Sequence, residues 1–86
     1  MYKNKCQSGR NNIAGINIAY IRKNRSEKTS QRKLADLMQL EGIEIDKNAI
    51  QRIESGKRFI TDIELKVFAR VLNVSVDDLL EDNKDL

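Results

Sequence analysis

The chain has no proline, no histidine and no tryptophan, a single cysteine, and only two tyrosines and two phenylalanines. Each scarcity removes a class of protein. Without histidine, and with Cys6 alone, there is no metal-ligand set and no Ser/His or Cys/His pair, so zinc chemistry and most nucleophilic hydrolysis lack their groups. Cys6 cannot close an internal disulfide, and neither a signal-peptide pattern nor a spanning apolar run is present. A reducing, cytoplasmic setting without membrane association is therefore expected. The absence of proline removes the strongest helix breaker, and the scarcity of alternating Val/Ile/Thr runs argues against a sheet. With 40 % apolar residues in 86, the composition suits a compact bundle of short helices better than an enzyme with a deep cleft. An all-α domain is expected, with no catalytic role and no cofactor.

What the chain does have is charge, unevenly placed. Residues 1–58 carry 13 Lys/Arg against 6 Asp/Glu, whereas residues 59–86 carry 3 against 7, which together return the net +3. A basic amino-terminal two-thirds with an acidic end fits a phosphate-facing surface with a solvated back.

Five helices are legible. Residues 1–11 are polar, carry Lys3, Lys5 and Arg10, and have no apolar period, so a flexible basic segment is expected. From Asn12, Ile13, Ala14, Ile18 and Ile21 recur at helical spacing. Asn24 to Thr29 form the loop into a second helix, capped by Ser30, with Leu34, Ala35 and Met38 on its apolar stripe and Gly42 as its stop. Ile43-Glu44-Ile45 alternates as a short extended bridge whose isoleucines pack on the core. Asp46 caps a third helix, with Ala49, Ile50 and Ile53 inward and Lys47, Asn48, Gln51 and Arg52 outward, ended by Gly56. Thr61-x-x-Glu64 is a capping box heading a fourth helix with Leu65, Phe68, Ala69 and Leu72 on its apolar face. Asn73 closes it, and Ser75-x-x-Asp78 opens a fifth. The domain is expected over residues 12–80, followed by an acidic tail over 81–86.

The order and spacing of four fragments carry a resemblance. These are Gly15-x-x-Ile18-x-x-Ile21-Arg22, Ser30-Gln31-x-x-Leu34-Ala35, Ala49-Ile50-x-x-Ile53-Glu54-Ser55-Gly56-Lys57-Arg58, and a Leu/Phe/Ala helix ending Leu72-Asn73-Val74. Together they resemble the phage repressor and Cro helix-turn-helix family. The resemblance implies a five-helix bundle of the lambda-repressor type, here with a lengthened turn between helices two and three. It also implies that the helix opening at Lys47 enters the major groove of double-stranded DNA. On that helix Lys47, Asn48, Gln51 and Arg52 would face base edges, arginine toward guanine and asparagine toward adenine. Gln31, Arg32, Lys57 and Arg58 would hold phosphates. Arg22 and Glu54 match family positions that form an internal ion pair. Thr29 stands where the family has a larger apolar residue, which implies a looser first loop.

The function expected is sequence-specific regulation of transcription by a repressor, a homodimer on an inverted repeat, with Val76, Leu79 and Leu80 available for its seam. Two other readings share the fold: an antitoxin-like protein that binds a small toxin partner and represses its own promoter, and a protein-interaction module that has lost DNA binding.

Overall fold

The computed structural model describes residues 9–82, which are built from five α-helices and contain no strand. They are α1 (Ala14–Lys23), α2 (Gln31–Leu40), α3 (Lys47–Glu54), α4 (Asp62–Leu72) and α5 (Val76–Leu80). Local chemistry fixes most of their ends. Ser30 Oγ accepts from the Lys33 N–H at 3.0 Å and Asp46 Oδ1 from the Ala49 N–H at 2.8 Å, each satisfying an otherwise orphaned helical donor. Thr61 and Glu64 form a reciprocal capping box at the head of α4, and Ser75 and Asp78 form one at the head of α5.

The α2 and α3 helices stop in the same way. Gly42 and Gly56 adopt φ of +86° and +84°, a left-handed conformation that glycine adopts without strain. Gly42 N–H returns to the Gln39 carbonyl and Ile43 N–H to that of Met38; Gly56 N–H returns to Ile53 and Lys57 N–H to Arg52. Both are Schellman closures. Asn73, at φ +59°, closes α4.

The core gathers one stripe from each helix: Ala14 and Ile18, Leu34 and Met38, Ile50 and Ile53, Phe68 and Leu72, and Leu79. Ile45 joins it from the extended bridge, and Ile43 packs half-buried against it. The bridge thus lengthens the α2–α3 connection while anchoring its far end beside the start of α3.

Four expectations change. Ile13 does not belong to the apolar stripe: it precedes the first turn of α1 and is 48 % exposed. On α4, Phe68, Ala69 and Leu72 are buried as expected and Val67 with them, whereas Leu65, in the first turn, is only partly buried at the edge of the core. Leu79 is fully buried in the monomer's own core, so it cannot lie on a dimer seam; Val76 is half-buried and Leu80 exposed. The first loop is not loose at Thr29, which is buried, donates from its hydroxyl to the Glu27 carbonyl and receives Arg22 on its own carbonyl.

Of the expected flexible segment, residues 1–8 lie outside the described residues, as do 83–86 of the acidic tail. Arg10 and Asn11 are bonded to the end of α3 and the turn that follows it.

Candidate nucleic-acid interface

The α3 helix is amphipathic over its eight residues. Ala49, Ile50 and Ile53 are buried against the core, and Lys47, Asn48, Gln51 and Arg52 are all exposed on the opposite side. Because residues three and four apart share a helix face, Lys47 and Gln51 stand one above the other, as do Asn48 and Arg52. No hydrogen bond or ion pair within the described residues holds these four side chains, so their donors face solvent.

Beneath them α3 is held by an ion pair. Arg22 on α1 donates from Nε to Glu54 Oε2 at 2.7 Å and from Nη2 to Oε1 at 2.9 Å, and its Nη1 reaches the Thr29 carbonyl at 3.1 Å. The side chains are only 10 % and 8 % exposed. Gln31 Nε2 also donates to Glu54 Oε1, at 2.9 Å. One carboxylate thereby joins α1, α2 and α3, and it fixes the Gln31 amide with its second N–H still available for an external acceptor.

The residues expected to hold phosphate separate into three kinds. Arg32 and Lys57 are exposed. Gln31 is oriented by Glu54. Arg58 is committed internally: its Nη1 and Nη2 donate to the two oxygens of Glu64, each at 3.0 Å. This planar bidentate pair is the strong form of an arginine–carboxylate contact. The hydrogen bonds and charge of Arg58, with further help from the Thr61 N–H, hold the Glu64 carboxyl below its ordinary range. Glu64 in turn raises Arg58.

The sign of the pH effect follows from the lowered carboxyl. Stability from this pair is complete above the unfolded pKa of Glu64 and is lost as pH falls through the lower folded pKa. Glu64→Gln should therefore flatten the acid limb of a plot of Tm against pH while leaving the shape near neutrality unchanged. An acid limb identical to that of wild type would remove Glu64 as a contributor.

The lengthened turn also has a place in the site. A groove of about 690 Å³ lies beside α3, lined by Gly42 to Asp46 together with Arg52 and Arg58. Its lining mixes acids and bases, and no group of His, Cys, Asp and Glu suited to a metal occurs among the described residues. No described helix is long and apolar enough to cross a membrane.

Sequence reasoning missed Arg10, Asn11 and Asn12. Asn12 Oδ1 accepts from the Gly15 N–H at 2.7 Å, the work of a helix cap, and Asn-x-x-Gly just before an apolar period was a usable signal. Arg10 also donates to Asn12, but the contacts that tie it to α3 are more than 40 residues away in sequence and left no local trace.

A compact set of five helices with a capped, polar-faced third helix pinned from below is the architecture of a DNA-reading module. Residues 18–79 match the helix-turn-helix family of the Cro and C1 type, and the chain belongs to that family. It is a DNA-binding transcription regulator of the helix-turn-helix type. No curated protein and no solved structure matches the chain significantly.

Proposed function

We propose that the protein is a repressor that binds an inverted-repeat operator as a homodimer, reading bases with Lys47, Asn48, Gln51 and Arg52 on α3. The observation that carries this reading is the exposed outer face of α3, where four hydrogen-bonding side chains stand unpaired on a helix rigidly seated from below. Arg32 and Lys57 contact phosphates on either side, and Gln31 offers its remaining amide N–H to another. Arg58 acts chiefly through Glu64, closing the base of the turn rather than meeting DNA.

Energetics support two copies. One short helix makes about three base contacts worth roughly 1 to 3 kcal/mol each, too little to select one site among the competitors in a genome. A second reading head doubles that discrimination. Leu80 is the most exposed residue of the expected seam, and Ile13, just before α1, and Tyr20, on α1, are further exposed apolar side chains.

The test is sedimentation of the protein with DNA flanking its own gene, at several salt concentrations. Two chains per duplex are expected, with half-sites about 34 to 36 Å apart. Neutralising Lys57 should lower the slope of log K against log salt by about 0.9 for each phosphate that the protein no longer neutralises, taken over both subunits. A one-to-one complex on a non-palindromic site would overturn the dimer, and an unchanged slope would show that Lys57 does not meet phosphate.

A further inference from the structure

The chain segment before α1 bonds to the far end of the reading helix. Arg10 Nη2 donates to the carbonyls of Ile53 at 3.3 Å and Glu54 at 2.9 Å. Asn12 Nδ2 donates to Ile53 at 3.0 Å and to the Arg58 carbonyl at 2.7 Å. Asn11 donates from its backbone N–H to the Gly56 carbonyl at 2.8 Å and from Nδ2 to that of Lys57 at 3.0 Å. The last carbonyls of a helix have no partner within it, and the helix dipole makes that end attractive to a cation. Arg10 supplies both the donors and the charge.

Two glycines admit the segment. A Cβ on Gly56 would lie 2.8 Å from Cγ and Cζ of Arg10, and one on Gly15 would overlap the Ile53 carbonyl and lie 2.7 Å from Arg10 Nη2. Such approaches are open only to a residue without a side chain. The contacts therefore depend on a matched set of residues at 10–12, 15 and 56 rather than on incidental surface polarity.

The geometry points to Arg10, Asn11 and Asn12 as a positioning strap for DNA binding, one that holds the end of α3 and the Lys57–Arg58 turn in the conformation that meets DNA. The strap precedes residue 18, where the family match begins. The inference rests on the reading of α3 and Lys57 given above. Its physical content is pre-organisation: the Lys57 carbonyl is fixed by Asn11 while the Lys57 side chain remains exposed, so less conformational freedom is lost when DNA arrives.

Arg10→Ala and the milder Asn11→Ala, each in the full chain, separate this role from general support of the fold. Amide exchange at Gly56, Lys57 and Arg58 should quicken about tenfold in Arg10→Ala, with exchange at Leu34 and Phe68 little changed. Affinity for operator and random duplex alike should fall about threefold to tenfold. Arg10→Lys, which keeps the charge but not the fork, should restore part of both. Exchange that rises equally at all amides, or a frayed turn with undiminished DNA affinity, would overturn the strap as a positioning element. If the wild-type chain bound no duplex, the reading of α3 would fall. The strap as a DNA-positioning element would fall with it, and the exchange comparison would show only whether it holds the turn.

Discussion

Glu54→Ala is expected to lower stability by about 3 to 5 kcal/mol, read as a shift of the urea midpoint at unchanged slope. The size of the effect comes from what is left behind. Arg22 would keep only the Thr29 carbonyl, and Gln31 would lose its acceptor, at a junction where the paired side chains are about nine-tenths buried. An unpaired guanidinium in such a place costs far more than the pair itself contributes. The double variant Arg22→Met/Glu54→Leu should accordingly lose less than Glu54→Ala alone, because it removes both charges. The contrast with Arg70 and Glu41 is instructive: that pair is 3.0 Å apart, close to the 2.7 Å of Arg22 and Glu54, but its side chains are 61 % and 36 % exposed. Exposed pairs contribute about 0 to 1 kcal/mol. A loss below about 1 kcal/mol for Glu54→Ala would place the Arg22 pair in the same class.

Arg52→Ala is expected to reduce operator affinity by about 2 to 6 kcal/mol, from roughly 1 to 3 kcal/mol per base contact in each of two half-sites. The loss should be confined to one base pair of each half-site, so that operators altered there are no longer distinguished from the original. Stability should change little, since Arg52 is exposed and its side chain holds no other residue. Measured affinities for a panel of single-base operator variants check this. If Arg52→Ala ranked the panel in wild-type order at wild-type strength, α3 would not be the reader at that position.

Most helix ends and inward faces are legible in the sequence because the forces that set them are local. Ser30, Asp46, Thr61 and Ser75 accept from an N–H three residues on, and Gly42, Gly56 and Asn73 take a backbone shape that few residues adopt. The outward face of α3 is legible for the same reason, since its period leaves little choice about which residues are buried. What escapes such reasoning is anything joined across the chain. Arg10 resembles part of a mobile terminus because the acceptors that tie it to α3, 43 and 44 residues away, are backbone carbonyls that no side-chain pattern advertises. The commitment of Arg58 to Glu64 lies within six residues, yet it is hidden because the capping box alone is enough to explain a glutamate at that position. Glu64 serves both roles, one oxygen receiving Thr61 N–H as well as Arg58.

Asn17 gives the fold an order in time. Its buried side-chain amide donates to the carbonyls of Leu79 and Glu81, at 2.8 and 2.7 Å, across 62 and 64 residues of chain. At a synthesis rate of about 5 to 20 residues per second, roughly 3 to 13 s pass between the appearance of Asn17 and that of its second acceptor. Within that interval, until residue 79 has been made, the segment holding α2 and α3 is complete while the Asn17 amide lacks both acceptors that it has in the fold and the core position of Leu79 is empty. α5, made after α2, α3 and α4, is thus the helix that completes α1, and α3 rests on an unfinished body until α5 has been made.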